Sequence, residues 1–284
     1  MQRRRVVAVV LIAVIAMAAV AYAQRFGGGG RRRGGGGFRG GFYSVNRPDQ
    51  NLLTGDFTFC RLAYRNAYDG DGGGWGVDYP RADQNLSIRL SELTKAPVNM
   101  DENHDPHFYV LQATDPELFD CPFVMMSEPG TTGFEDEEAK ALRQYMLKGG
   151  FLWADDFWGE YAWAHWEREV RKIFPERDQF PIIDVPMEHS MFHTLFDSKK
   201  LPQIPSIGFW GGPGGSTSER GADSATPHGR AILDPKGRVM FFMTHNTDFG
   251  DAYEREGDMP AYFYTFSVDG YAIGIDVVLY AMTH

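Results

Sequence analysis

The stretch GGFLWADDFW, residues 149–158, combines a glycine pair, a short apolar run and two adjacent carboxylates. The charged, periodic segment before it, residues 135–148, predicts a helix that ends at the glycines. Residues 151–154 then predict a buried strand, with Asp155 and Asp156 at its carboxyl end. This order is typical of an open α/β sheet, in which ligands bind just outside the carboxyl ends of the strands.

Strand and helix candidates alternate on both sides of this stretch. The predicted strands are 56–64, 107–111, 122–126 and 181–185, and the further predicted helices are 82–93, 161–174 and 189–196. After a long glycine- and serine-rich loop, residues 231–234 and 238–244 predict a hairpin, and the apolar residues 266–282 predict a buried closing helix. We therefore predict a three-layer, flavodoxin-like α/β fold, with a mostly parallel sheet and helices on both faces.

The charge of the chain is unevenly distributed. Its formal net charge is −10, but residues 1–46 contain eight arginines and no acidic residue. The remainder holds 20 bases against 38 acids, which is a formal charge of −18. A body this acidic argues against nucleic-acid binding, which needs basic surface. Cations or cationic ligands suit it better.

Residues 1–23 have the pattern of a targeting segment. Three arginines precede an unbroken apolar stretch at 6–20, and Ala21-Tyr22-Ala23 matches the small-x-small pattern of signal-peptidase sites. The short apolar region favours cleavage; the alternative is an uncleaved membrane anchor, since 6–23 can just span a bilayer. Either way we predict export to the periplasm or beyond, with membrane contact only through an uncleaved N-terminal segment.

Residues 24–46 form a Gly/Arg-rich linker, in which ten of the fifteen residues from 27 to 41 are glycine. This composition predicts a flexible tether whose arginines rest on anionic lipid or polymer, with an RNA-binding tract as the alternative. A single folded domain is then expected over residues 47–284. Its two cysteines, Cys60 and Cys121, either pair after export or remain two half-buried thiols.

Five segments together resemble the domain-of-unknown-function family 4159. In chain order they are FTFCRLAY, PFVMMSEPG, EEAKALRQYMLKGGFLWADD, the region of Glu188-His189, and THNTDFGDAYE. The resemblance covers roughly residues 54–283. It implies the three-layer fold of class I glutamine amidotransferases, and it implies no established activity.

The implied relation to amidotransferases can be compared with the residues present. In those enzymes a strand after a helix and glycine ends in a nucleophilic cysteine, and a later strand ends in a histidine followed by an acid. Here Asp155-Asp156 occupies the first position, whereas His245 and Asp248 resemble the second pair. Glutamine hydrolysis through a thioester needs a thiolate, so amidotransferase activity is not expected.

The candidate catalytic residues are Asp155, Asp156, His245 and Asp248. An aspartate at a strand end can bind a cation, act as a general base or hold a ligand hydroxyl. Alternatively, one aspartate caps the next helix and the other pairs with an arginine such as Arg61 or Arg65. A histidine oriented by a carboxylate three residues away can act near neutral pH, or it can simply bond to backbone in a turn.

The candidate ligand-binding residues are Arg61, Tyr64, Trp75, Asp78, Ser127, Glu128, His189 and Asn246. Aromatic groups with a few polar neighbours suit sugars or peptides, but an aromatic loop can equally pack over the sheet. His189 and His193 are spaced i, i+4 beside Glu188 and could begin a zinc site, although the H-E-x-x-H spacing is missing. We therefore predict no metal and no cofactor.

Two functions follow as alternatives. The first is a non-catalytic exported domain that binds a small molecule, protein or polymer of the cell envelope. The second is a hydrolase acting on an envelope polymer or small amide, with His245 as base and Asp155 or Asp156 as acid or metal ligand. The hydrolase requires His245 and a carboxylate to converge within about hydrogen-bond reach of a common point.

Overall fold

The computed structural model describes residue 53, residues 55–211 and residues 215–284, so the predicted targeting segment (1–23) and linker (24–46) lie outside the described residues. Within them, seven strands form one sheet, in the order β2-β1-β3-β4-β7-β6-β5. The strands are β1 (Phe59–Leu62), β2 (Phe108–Leu111), β3 (Phe123–Ser127), β4 (Phe151–Phe157), β5 (Ile183–Asp184), β6 (His228–Leu233) and β7 (Val239–His245). The first five strands of this order are parallel, and β6 runs antiparallel to both β7 and β5. The predicted parallel sheet and late hairpin are confirmed.

Helices cover both faces of the sheet. They are α1 (Arg81–Leu93), α2 (Asp136–Leu147), α3 (Gly159–Ile173), α4 (Ile207–Trp210), α5 (Phe249–Glu254), α6 (Pro260–Tyr262) and α7 (Val268–Thr283), the last two joined by a π-helical turn. One buried apolar cluster joins α2 and α3 to the sheet through side chains such as Leu142 and Trp166. A second cluster joins α1, α5 and α7 to the opposite face through Leu86, Tyr253 and Val277. The three layers are therefore those predicted.

The closing helix is part of the core. Among the described residues, the segment Pro260–Thr283 is long and apolar enough, by length and composition, to cross a membrane. However, 67% of its most apolar window is buried inside the domain. Burial of this kind is what a core helix requires, and it confirms the predicted buried helix near the end of the chain.

Two local predictions were wrong. Residues 189–196 do not form an α-helix, because only Ser190–Phe192 makes a single 3-10 turn. The Asp276 carboxylate accepts hydrogen bonds from the amides of Leu195 and Phe196, which removes those donors from any helix. In addition, β4 does not end before the two carboxylates but continues through them to Phe157.

The two cysteines form a disulfide. Cys60 lies in β1 and Cys121 directly before β3, and their Cα atoms are 6.2 Å apart. Of the two alternatives that the sequence left open, the structure therefore contains the pair.

The two glycines that open the deciding stretch have different roles, which predicts different costs of substitution. Gly149 has φ +114° and open space at its Cβ position, so Gly149→Ala is expected to cost about 1 kcal/mol, from backbone strain alone. A Cβ on Gly150 would overlap the ring of buried Tyr145, so Gly150→Ala is expected to cost about 3 kcal/mol. Urea unfolding of both variants measures the difference. Equal costs would contradict this account of the Gly150 contact.

Candidate functional site

Three buried carboxylates meet at the carboxyl ends of the parallel strands. Asp78 lies in the loop after β1, Asp156 in β4, and Asp248 directly before α5. One oxygen from each lies within 4.8 Å of the other two, and none of the three residues is more than 6% exposed. We call these residues the acidic triad. The structure thus brings together three of the predicted site residues.

Unusual backbone conformations place these side chains. Asp78 and Asp156 have φ near +64°, in the left-handed region that non-glycine residues rarely adopt. At Asp156 the left-handed conformation coincides with a shift of register between β4 and β7. This irregularity interrupts the regular alternation of side chains, which would otherwise direct Asp155 and Asp156 to opposite faces of the sheet. Glu128 and Asn246, at the ends of β3 and β7, are also left-handed. Of the five such residues in the described part of the chain, Asp78 and Asp156 belong to the triad, and Glu128 and Asn246 follow neighbouring strands, as is typical of functional sites.

The negative charge of the triad is not balanced by ion pairs with basic side chains in the described part of the chain. Burial raises the pKa of all three carboxyls well above the ordinary value, and neighbouring carboxylates raise them further. The Oδ2 atom of Asp78 is buried and has no hydrogen-bond partner among the described residues. A buried acceptor without a partner costs about 1–3 kcal/mol, so this oxygen favours a proton or a cation beside it.

A second group of acidic residues next to the triad is already paired with an arginine. Asp78, Asp251 and Glu254 also place one oxygen each within 4.8 Å of one another. Here, however, Arg255 lies 3.5 Å from the Asp251 carboxylate and 2.8 Å from that of Glu254. Within the described part of the chain, no lysine or arginine makes an ion pair with Asp156 or Asp248. The triad is therefore the better candidate for a bound ion.

Asp155 supports the site by holding α5 in place. Its carboxylate accepts hydrogen bonds from the Thr244 hydroxyl and, at 3.0 Å, from the amide of Gly250. Any Cβ on Gly250 would overlap the Asp78 carboxylate, so this close approach of α5 requires glycine. Burial raises the pKa of Asp155 to about 7. Asp155 thus positions the helix that follows Asp248.

Arg61 and its ion pair fix the loop that carries Asp78. The guanidinium of Arg61 is fully buried, pairs with Asp83, and donates to Ser127 Oγ and to the carbonyl oxygens of Trp75 and Val77. Since these partners occupy all three of its nitrogens, Arg61 is a positioning residue. Among the described residues no arginine pairs with Asp155 or Asp156, so the predicted alternative of such a pair is not found there.

Tyr64, Glu128 and Trp75 line the same side of the site. The Tyr64 hydroxyl lies 2.7 Å from the Glu128 carbonyl, and the Glu128 carboxylate accepts hydrogen bonds from the amides of Gly73 and Gly74. Burial raises the pKa of Glu128 to about 7. Trp75 packs its ring edge-on against Tyr79. Glu128 therefore anchors the glycine-rich loop beside the triad.

The structure separates His245 from the carboxylates. Its Nε2 lies 3.1 Å from the Gly159 carbonyl, its Nδ1 lies 3.2 Å from an Arg230 nitrogen, and its ring stacks on Phe157. Burial lowers the pKa of His245 to about 3, so the imidazole is neutral. Asp248 instead accepts from the amide of Asp251 as the cap of α5. The convergence that the hydrolase hypothesis requires of His245 is therefore not present in the described residues.

The remaining predicted residues lie apart from the triad or tie loops together. His189 packs against Tyr280, whose hydroxyl accepts from the amide of Val239 at the start of β7, which is the opposite end of the sheet. His193 bonds to the Met187 carbonyl, so the two histidines share no ligand position on a helix. Asn246 joins the Gly159 amide to the Thr226 carbonyl.

Two acids of α5, which lie next to Asp78, were not among the predicted site residues. Asp251 and Glu254 follow Asp248 at i+3 and i+6, a spacing that places all three on one helix face. That periodicity was available in the segment THNTDFGDAYE. Gly250 between them could not be identified in the same way, because its role depends on contact with Asp78.

Comparison with known proteins gives a family without a known activity. The sequence model of a family described as a domain of unknown function (DUF4159) matches residues 58–282. No curated protein matches the chain. The matched region includes all seven described strands and the acidic triad, so the candidate site lies within the part shared with the family.

Proposed function

The chain belongs to the DUF4159 family, and we propose that it is an exported domain whose acidic triad binds a divalent cation. The observation that carries this proposal is the buried Asp78 carboxylate, whose Oδ2 has no hydrogen-bond partner among the described residues and which places one oxygen within 4.8 Å of oxygens from Asp156 and Asp248. A cation at this point would add to the charge of Arg61, which acts on Asp78 but is paired with Asp83.

The donor atoms favour a hard cation. All three triad groups are carboxylates, and oxygen ligands are those that Ca²⁺, Mg²⁺ and Mn²⁺ prefer in proteins. The described histidines nearest in sequence to the site, such as His245, bond elsewhere, which disfavours a zinc site. We take Ca²⁺ as the leading ion, because three carboxylates held by loop and strand suit its flexible coordination better than the strict octahedron of Mg²⁺.

The proposed setting is the cell envelope. The pattern of residues 1–23 supports export, and the Cys60–Cys121 disulfide is compatible with an oxidising compartment. In this setting the domain would bind an envelope molecule at the carboxyl ends of its parallel strands, with the cation as part of the binding site. The position of His245 supports a binding role over the hydrolase.

A second candidate function is a cation-dependent hydrolase. The observation in its favour is Glu128, whose pKa is raised to about 7 by burial and whose charge acts on Asp156. A carboxyl that titrates near neutral pH beside a cation site is suited to general acid–base chemistry. In this alternative Glu128, and not His245, would transfer the proton.

We also infer that the fold is related to that of class I glutamine amidotransferases. The parallel sheet and the position of the site at its carboxyl ends support the relation. Amidotransferase chemistry is not part of the proposal, because both cysteines of the chain form the disulfide and leave no thiolate.

The cation site is tested by thermal unfolding of the chelator-treated protein with CaCl₂, MgCl₂ or MnCl₂. At a free cation concentration of about 100 Kd, we expect stabilisation of about 2.7 kcal/mol. Asp78→Asn is expected to abolish this stabilisation without lowering the midpoint of the metal-free protein, since it removes a desolvated carboxyl.

The matched control is Asp178→Asn, an exposed aspartate outside the site, which is expected to keep the full response. No response to any of the three cations would overturn the proposal. So would an unchanged response in Asp78→Asn.

A further inference from the structure

A cavity of about 380 Å³ lies between α3 and the β5–β6 edge of the sheet. Its lining includes three arginines (Arg171, Arg177 and Arg230), two acids (Glu167 and Asp184) and the apolar side chains of Trp163 and Ile182. None of the acidic triad residues contributes to it. The volume is within the range of small-molecule sites. This cavity is therefore a second candidate site, of different chemistry.

The cavity is locally positive in an acidic protein. Its three guanidiniums and two carboxylates give a formal charge of +1, whereas residues 47–284 carry −18. The Nε atom of Arg171 is buried and has no hydrogen-bond partner within the described ranges. Burial, followed by the charge of Arg177, lowers the pKa of Arg171. Glu167 lies 3.9 Å from this Nε and 2.6 Å from Arg177 Nη1, so two arginines share one carboxylate. An anion in the cavity would offset the repulsion that remains between them.

Arg230 is held in a fixed orientation. Its guanidinium lies 3.9 Å from the centre of the Trp163 ring, and its Nη1 donates to His245 Nδ1 at 3.2 Å. Its Nε lies 3.4 Å from the exposed Asp184 carboxylate. Because an arginine only donates, His245 Nδ1 is the acceptor, and its Nε2–H donates to Gly159. The uncharged His245 thus orients Arg230 without neutralising it.

We propose that this cavity binds a small monocarboxylate with a flat apolar body. The carboxylate would pair with Arg230 and with Arg177, whose Nη1 also lies 2.6 Å from Glu167, because their planar forks match its geometry. The apolar part would lie against Ile182 and the part of Trp163 that Arg230 leaves uncovered. The net charge of +1 matches one negative charge and disfavours a dianion such as phosphate. This assignment is independent of the proposed cation site, since no residue is shared.

The test is a calorimetric titration of the full chain with benzoate, in the presence of chelator. Benzoate is expected to bind at least about tenfold more tightly than benzyl alcohol or inorganic phosphate. Arg230→Gln is expected to weaken benzoate binding about tenfold, which corresponds to the loss of a charge-assisted pair. Asp184→Asn is expected to strengthen it, because a competing carboxylate is removed.

Two further variants keep the result decisive. Arg177→Gln changes a side chain that is 64% exposed, so it leaves folding intact and is also expected to weaken benzoate binding. Arg168→Gln, an exposed arginine of α3 outside the cavity, is the matched control and is expected to change nothing. Absence of benzoate binding by the wild type, or binding by the Arg230 and Arg177 variants that equals that of the wild type, would overturn the proposal. Tighter binding of phosphate than benzoate would also overturn it.

Discussion

Arg61→Met is expected to lower the free energy of unfolding by about 3–5 kcal/mol, which is the cost of removing one partner of a buried ion pair. Arg61 and Asp83 are both fully buried, and removal of the guanidinium leaves the Asp83 carboxylate without its partner. The carbonyl oxygens of Trp75 and Val77 lose a donor as well. Urea unfolding at neutral pH measures the loss.

Two comparisons show whether the burial of the pair is the cause. The double variant Arg61→Met/Asp83→Leu is expected to recover much of the stability, because both desolvated charges are gone. Arg65→Met breaks the pairs with Glu135 and Glu138, where the arginine is 37% exposed and the two acids are 64% and 19% exposed, and is expected to cost about 1 kcal/mol. Similar losses of unfolding free energy for Arg61→Met and Arg65→Met would show that burial of the pair is not the cause of the large loss expected for Arg61→Met.

This pair also connects stability with the site. Arg61 fastens the loop that ends at Asp78, so the double variant is expected to fold but to respond weakly to cations. A fully restored cation response in the double variant would mean that the loop is held by other contacts, such as the hydrogen bonds from Gly73 and Gly74 to Glu128.

The sequence predicted the sheet because its signals are local. The helix over 135–148 has acidic residues in its first turn and glycine after its end, and Glu135 and Glu138 form a capping box in the structure. The alternating pattern of the segment DFTFCRLAY predicted a strand, with Arg61 as a candidate ligand-binding residue. In the structure Arg61 is buried, because Asp83, 22 positions later, supplies its partner. A pairing over that distance has no signature in either segment.

The sequence predicted where the candidate site lies in the fold, but it predicted only some of the residues that form it. Strand ends indicated Asp78, Asp156 and Asp248 as candidates, but their mutual distances depend on left-handed backbone at Asp78 and Asp156. Aspartate adopts this conformation more often than most residues, yet the sequence does not show at which aspartate it occurs. Asn246, which lies between His245 and Asp248 in the chain, is also left-handed, and these two side chains bond to different partners. The prediction of no metal remains untested, and the geometry of the triad argues against it.

In the absence of a cation, Asp155→Asn is expected to become increasingly stabilising as the pH rises from about 4 to about 7. Asp155 has a pKa of about 7 in the folded protein, raised by burial, against 3.8 ordinarily. Between these values the folded state binds more protons than the unfolded state, so the wild-type free energy of unfolding falls as the pH rises. For Asp155 alone the loss is on the order of 4 kcal/mol, and the asparagine variant does not incur it.

The difference between the wild type and Asp155→Asn is the quantity to measure, because other titrating groups then cancel. Urea unfolding in chelator at a series of pH values gives this difference directly, and a value independent of pH would contradict the buried, ionisable state of Asp155.

With saturating Ca²⁺ the wild-type stability is expected to fall less over the same range, since the cation competes with protons for the adjoining triad carboxylates. The stabilisation by Ca²⁺ should therefore grow as the pH rises. A stabilisation that is equal at both ends of the range would place the bound cation somewhere other than Asp78, Asp156 and Asp248, whose pKa values are all raised by burial.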